Sequence, residues 1–228
     1  MVKIDQDGYK ISGIFLALAV LIYVCYYFSE LSMFLWAFWI SCAILVFSIY
    51  FFRDPERKGT ENKRAVVSAA DGVVVDVSPV EAEGFEGGKA LRIAVFMNIF
   101  NVHVNRSPIA GRAIKTEHQP GKKLSALNKR AEYENEYGDM DIETSAGLVR
   151  VRQIAGIIAR RVVTRIKVGD IIERGDRIGI IRFGSRVDIF LPLSFKPVVV
   201  KGDRARAGET MIARPSDSEK KLDEKGSE

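Results

Sequence analysis

Three residues of this chain carry side chains that could together activate a hydroxyl. They are Asp71 in Ala69-Ala70-Asp71-Gly72, His103 in the run from Phe100 to Pro108, and Ser185 in Phe183-Gly184-Ser185-Arg186-Val187-Asp188. A histidine can take the proton of a serine, while an aspartate orients the ring and stabilises the imidazolium that forms. Each residue has an ordinary reading when taken singly. Asp-Gly is a common hairpin turn. A histidine between Val102 and Val104 in a strand points to the face opposite those valines, where a hydrogen-bonded structural role is the commoner one. Gly-Ser between two strands is usually a turn, and the G-x-S-x-G frame of a nucleophile elbow is missing. The combination, with three residue types in three separate segments, is what points to a serine nucleophile.

The other reactive side chains are few. There are two histidines, His103 and His118, and two cysteines, Cys25 and Cys42, both inside an apolar stretch. This composition argues against a histidine-rich or cysteine-based metal centre and against a disulfide-stapled secreted fold. His118 stands before Gln119-Pro120-Gly121, a context that predicts a turn or a loop on the substrate side.

The elements that must position these groups fall into two parts. Residues 11–28 contain no charge, and neither do residues 31–52; only Ser29 and Glu30 separate them. A helix needs roughly 20 apolar residues to cross the hydrocarbon core, so residues 1–52 read as a transmembrane helical hairpin. Tyr23, Tyr26, Tyr27, Trp36, Trp39 and Tyr50 suit the membrane interface. A signal peptide fits less well, because no A-x-A cleavage site lies near residue 28 and a second apolar run follows at once. Lys3 and Lys10 precede the hairpin, Arg53, Arg57, Lys58, Lys63 and Arg64 follow it, and its tip has no basic residue. The positive-inside rule then places both ends, and the domain that follows, on the cytoplasmic side of the cell membrane. The chain carries a formal net charge of +5. A basic domain on a membrane anchor predicts attraction to an anionic membrane surface. No aromatic-basic pattern points to nucleic acid.

From residue 65 onward the pattern is short, β-rich and punctuated by turns. Strands are expected at 65–67, 72–77, 90–96, 101–104, 148–154, 161–167, 177–182, 187–191 and 197–200. Residues 124–128 read as a helical turn, and 157–161 as either a short helix or a strand. Residues 112–147 otherwise give no clear pattern. The run from Val168 to Gly179 reads strand, turn, strand, and Ser68 to Asp76 has a similar character. Together they predict a mainly β, barrel-sandwich-hybrid-like domain over 53–215. A carrier function does not follow, since no lysine sits at a hairpin tip as biotinyl or lipoyl attachment requires. Residues 216–228 are polar and charged and are expected to be disordered.

Several ordered motifs resemble the phosphatidylserine decarboxylase proenzymes, in their short form. They are Arg53-Asp54-Pro55-Glu56-Arg57, Ala70-Asp71-Gly72, Phe100-x-x-His103-x-Asn105-Arg106-x-Pro108-x-x-Gly111, Asn135-Glu136 and Phe183-Gly184-Ser185-Arg186-Val187-Asp188. The resemblance implies self-cleavage of the Gly184–Ser185 bond, with Asp71 and His103 activating Ser185. It implies two chains, 1–184 and 185–228, that stay together as a heterodimer, with any higher assembly left open. Ser185 would become a covalent pyruvoyl group, an electron sink for removing CO2 from phosphatidylserine to give phosphatidylethanolamine. His103 would return the proton, and Arg106, Arg186 and His118 are candidates to meet the substrate. No metal is implied. Where longer bacterial members carry a second histidine this chain has Arg106, and Phe-Gly-Ser-Arg replaces their Leu-Gly-Ser-Thr, which leaves His103 to serve both steps or His118, the only other histidine, to take one of them. An ether-linked archaeal phospholipid with the same head group fits equally. The competing readings are a membrane-tethered, non-enzymatic adaptor and a pyruvoyl decarboxylase acting on a soluble amino acid.

Overall fold

The computed structural model describes residues 2–60, 62, 65–122, 124–128, 130–157, 161–182 and 185–216. The chain forms two compact units, Met1–Glu56 and Arg57–Glu228. The boundary falls four residues beyond the expected end of the hairpin, because a short strand pair belongs with the helices.

The first unit contains strand β1 (Val2–Ile4), helices α1 (Gln6–Ser29) and α2 (Ser32–Phe51), and strand β2 (Arg53–Pro55). Asp5 caps α1 by accepting the Asp7 N–H at 3.0 Å. The helix ends at Glu30, which adopts φ 56°, and α2 starts two residues later. The helices pack against each other as a hairpin, with Ser12 and Ser48 hydroxyls 3.0 Å apart. Both helices are long and apolar enough to cross a membrane, and large side chains such as Phe28, Trp36 and Trp39 point outward. Beyond the helices, β1 and β2 pair antiparallel, with Val2 opposite Pro55 and Ile4 opposite Arg53.

The second unit runs β3 (Val66–Val67), β4 (Gly72–Glu81), β5 (Lys89–Met97), β6 (Val104–Arg106), β7 (Gly111–Gln119), α3 (Ala131–Glu134), β8 (Tyr137–Thr144), β9 (Gly147–Ala155), β10 (Arg161–Thr164), β11 (Ile171–Ile172), β12 (Arg177–Arg182), β13 (Ser185–Leu191), β14 (Phe195–Pro197), β15 (Arg204–Ala205) and β16 (Met211–Pro215). A curled eight-stranded sheet has the order β11-β7-β8-β9-β13-β5-β4-β15, and two three-stranded sheets, β10-β12-β6 and β14-β16-β3, accompany it. The mainly β expectation therefore holds. The span 112–147, unreadable from the sequence, supplies two of the longer strands, β7 and β8. The expected strand at 101–104 instead begins at Val104, and residues 124–128 form a turn ahead of α3. Of the ambiguous 157–161, residues 158–160 lie outside the described residues, as do residues 217–228 of the tail.

Side-chain alternation builds the core. Val187, Ile189 and Leu191 of β13 join Ile93, Val95 and Met97 of β5, Val149 and Val151 of β9, and Met140 and Ile142 of β8 in one buried cluster with Val162, Ile178, Ile181 and Ile212. β13 is buried along its whole length, because Phe190, on the other face, packs with Ala82, Phe85 and Ala90. The start of β4 requires Gly72, where a Cβ would lie 2.0 Å from the Phe96 carbonyl oxygen. That oxygen belongs to a paired strand and cannot retreat cheaply. Gly72→Ala should therefore destabilise the β unit by about 1–3 kcal/mol, whereas Gly59→Ala, with open space around it, should be neutral. Thermal unfolding of the full-length chain in detergent would compare them, and equal melting temperatures would contradict this packing.

Candidate active site

Ser185 is the first residue of β13, between two neighbours. It pairs with Met97 of β5 on one side and with Ala155 of β9 on the other. Directly paired residues share a face of the sheet, so Ser185, Met97 and Ala155 all point toward the core side, as do Val187 and its partner Gln153. Ser185 is fully buried, and its Oγ has no hydrogen-bond partner among the described residues. An unsatisfied buried hydroxyl costs about 1–3 kcal/mol, so packing does not account for a serine here. Gly184, the other residue of the expected cleavage bond, lies outside the described residues.

His103 reaches the same end of the sheet through a tight turn. After Met97, the Asn98 N–H donates to Asn101 Oδ1 and the Phe100 N–H donates to Asn98 Oδ1, each at 2.9 Å. These side-chain bonds reverse the chain and bring residues 102–106 back toward the end of β5. His103 is fully buried, with Nδ1 3.0 Å from the Asn101 carbonyl oxygen. A carbonyl only accepts, so Nδ1 carries the hydrogen and Nε2 is the basic nitrogen of the neutral ring.

Asp71 also comes to this end, since Val73 of β4 pairs with Phe96 and Phe96 pairs with Arg186. Its carboxylate is held by the Arg57 guanidinium, at 2.8 Å to each oxygen, and by the Ala207 N–H at 2.8 Å. No hydrogen bond joins it to His103 among the described residues. Arg57 therefore belongs to the description of the site. The sequence signalled it as a basic flank of the hairpin and as the end of the Arg53-to-Arg57 motif, not as a partner of Asp71.

The other expected residues are placed differently. Arg106 is buried and donates to the Gly175 carbonyl at 2.9 Å. His118 is in strand β7, opposite Gly138, not in a turn or loop. It is half exposed, and its Nε2 lies 3.5 Å from Glu136. The strand runs on to Gln119, immediately before Pro120-Gly121. Arg186 points to the opposite face of β13 from Ser185, as alternation demands, and its guanidinium holds Asp188 through two 2.7 Å bonds.

That opposite face is a charged lattice. Glu132 of α3 joins Arg92 and Arg186, and Arg92 also donates to Asp76. Arg150 pairs with Asp141 and Arg152 with Asp139 across β9 and β8. Burial pushes the Asp188 carboxyl up to about 6, against the pull of the Arg186 guanidinium beside it. Glu132 and α3 had no signal in the sequence.

Comparison with known proteins agrees with the motifs. Residues 44–213 match the family model for phosphatidylserine decarboxylase. The chain is 47% identical over 174 residues to a phosphatidylserine decarboxylase proenzyme of Pelobacter propionicus, covering 75% of this chain and 78% of the relative. It is 44% identical over 169 residues to the proenzyme of Desulfotalea psychrophila, covering 74% and 79%, and 42% identical over 170 residues to that of Geotalea uraniireducens, with the same coverages.

The raised Asp188 value gives a pH prediction. The folded chain binds this proton more tightly than the unfolded chain, so from about pH 4, the ordinary carboxylate range, up to about pH 6, this group's contribution to stability falls as pH rises. In a Ser185→Ala background, the melting temperature relative to a further Asp188→Asn variant should drop across that window and level off above it. A difference that stays constant would mean that Asp188 is ionised throughout.

Proposed function

Since the chain belongs to the phosphatidylserine decarboxylase family, a family of decarboxylases, we propose that it is a self-processing proenzyme. In this reading it converts phosphatidylserine to phosphatidylethanolamine and CO2 at a membrane. The observation that carries the reading is the Ser185 hydroxyl: fully buried, without a partner among the described residues, and at the same sheet end as a histidine whose tautomer leaves Nε2 basic.

In processing, the Ser185 Oγ–H proton passes to His103 Nε2 as Oγ bonds to the carbonyl carbon of residue 184. The carbon–nitrogen bond then breaks, the proton goes to the nitrogen of Ser185, and an ester joins the two chains. Loss of the Ser185 α-proton and cleavage of its Cβ–O bond release residues 1–184 as a carboxylate. Water then replaces the nitrogen of the remaining dehydroalanine, and ammonia leaves. Asp71, fixed at this end by Arg57 and Ala207, is the acid available to stabilise the imidazolium.

The residue at 185 fits the pyruvoyl group that the family's chemistry implies. Conversion removes the orphaned hydroxyl, and the pairing partners Met97 and Ala155 would hold the new end in place. Such a group supplies an electron sink for decarboxylation. His103 would then return a proton to the product carbon. Arg106 and His118 remain proposals for meeting the head group, and so does Arg186, although its charge is already paired internally.

The apolar helices of the first unit would anchor the enzyme beside its lipid substrate, with both ends cytoplasmic. The basic flanks support attraction to anionic lipid. Both rival functions lose ground, because neither an adaptor nor a soluble amino acid decarboxylase explains the family match.

Expression of the full-length chain should yield two polypeptides divided at residue 184. Ser185→Ala should remain one chain, and His103→Ala should be slowed about 100- to 10,000-fold. A His103→Ala chain that divides at the normal rate would remove His103 from the processing step.

A further inference from the structure

Exposed apolar side chains surround the end of the sheet where Ser185 lies. Its strand partners are Met97, the last residue of β5, and Ala155, the last of β9. Phe100 follows soon after Met97 and Ile157 soon after Ala155, and they are 60% and 62% exposed. The connection between β7 and β8 is fastened to the same end. Asn135 Nδ2 donates to the Ala155 carbonyl at 2.7 Å and to the Leu124 carbonyl at 2.8 Å, and the Ala155 N–H donates to the Glu136 carbonyl at 2.9 Å. Arg186, next to Ser185 in sequence, donates to the Ala126 carbonyl at 3.3 Å and to Glu132 at 3.4 Å. With Ala126 and Glu132 held inward, their neighbours Leu127 and Tyr133 stay outside, 57% and 72% exposed.

A single exposed apolar residue is ordinary on a protein surface. Four large ones, on three segments tied to one sheet end, form a rim of the kind that marks a contact surface. The charge around the rim selects the partner. Lys122 bridges to Asn135, Arg130 immediately precedes α3, and Arg161 pairs with Arg182 where β12 runs toward Ser185. The carboxylates beside them are Glu134, which binds both Lys122 and Arg130, and Glu136. Cations thus exceed carboxylates among these described residues. Apolar side chains ringed by excess positive charge match an anionic bilayer, which offers negative head groups above an apolar interior.

We infer that Phe100, Leu127, Tyr133 and Ile157 dip into the head-group layer of an anionic bilayer, so that the sheet end bearing Ser185 is the face of the β unit that meets lipid. The inference deepens the lipid decarboxylase reading above and rests on it for its purpose. A head group would reach residue 185 while its acyl chains stay in the bilayer.

The test places one tryptophan at a time. Trp36 and Trp39, the two tryptophans of the chain, are replaced by Phe. Phe100→Trp, Leu127→Trp and Ile157→Trp then probe the rim, and Leu193→Trp probes the far side, past the other end of β13. The two ends of that strand are roughly 20 Å apart, farther than the about 5–10 Å to which an interfacial segment sinks. The full-length chain is held in nanodiscs of phosphatidylcholine and phosphatidylglycerol, with or without bromine on the acyl chains, where it quenches indole emission on contact. The three rim tryptophans should lose emission in the brominated nanodiscs, and lose less when phosphatidylglycerol is left out. Leu193→Trp should emit equally with and without bromine. Rim emission indifferent to bromine would overturn the inference, as it would if the rim seated a second copy or another protein. So would equal quenching at Leu193, or quenching indifferent to phosphatidylglycerol. A second measurement does not depend on the tryptophan changes. The Leu127→Gln, Tyr133→Gln double variant, at unchanged melting temperature, should show a several-fold higher KM for phosphatidylserine held in the nanodisc and an unchanged kcat on dissolved, short-chain phosphatidylserine. Equal losses on the two substrates would overturn the inference. A chain that never divides or decarboxylates while its rim tryptophans are quenched would instead defeat the decarboxylase reading and leave the lipid contact standing.

Discussion

The arrangement depends on the pairing of β13 with a strand on each side. Its full burial leaves no freedom in which side chain faces where: shifting the register by one residue would turn Ser185 outward and bring Arg186 into the core. The Met97 and Ala155 pairings therefore fix the direction of the Ser185 hydroxyl, and the apolar cluster under Val187, Ile189 and Leu191 keeps that register. Stability and the proposed chemistry thus rest on the same strand.

The two faces of β13 do different work. On the core side, polar groups are few, and Thr164, Gln153 and Asn105 are joined by hydrogen bonds that end at the Met97 sulfur. On the other side, arginines and carboxylates neutralise one another in a lattice that links five strands and α3. Removing one partner from such a buried pair strands the other charge, at a typical cost of about 3–5 kcal/mol. The lattice therefore locks β13 against its neighbours. Arg186, adjacent to Ser185 in sequence, belongs to it by alternation alone.

Much of this was legible in the residues. The apolar hairpin, the mainly β character of the rest, and the segments bearing Asp71, His103 and Ser185 follow from composition, periodicity and motif. Strands β7 and β8 did not, because Asp139 and Asp141 read as loop residues until Arg152 and Arg150 are seen opposite them. Propensity along one strand cannot report a partner on another. The Asp71–Arg57 pair was hidden for the same reason. Gln153 left a readable trace: Val149, Val151, Gln153 and Ala155 form one inward register, and a lone amide in such a register asks for a buried partner. Asn105 was visible within the histidine motif, but its contact with Met97 was not.

The central claim is that the hydroxyl of Ser185 breaks the bond to its own preceding residue and leaves a carbonyl in place of its amine. Intact-mass measurement of the chain that begins at residue 185 tests this most directly. The account predicts a mass lighter by one ammonia than the same polypeptide with an amino-terminal serine. A full-length chain that decarboxylates phosphatidylserine while residues 184 and 185 are still joined, or a residue-185 chain that keeps its serine amine, would contradict it.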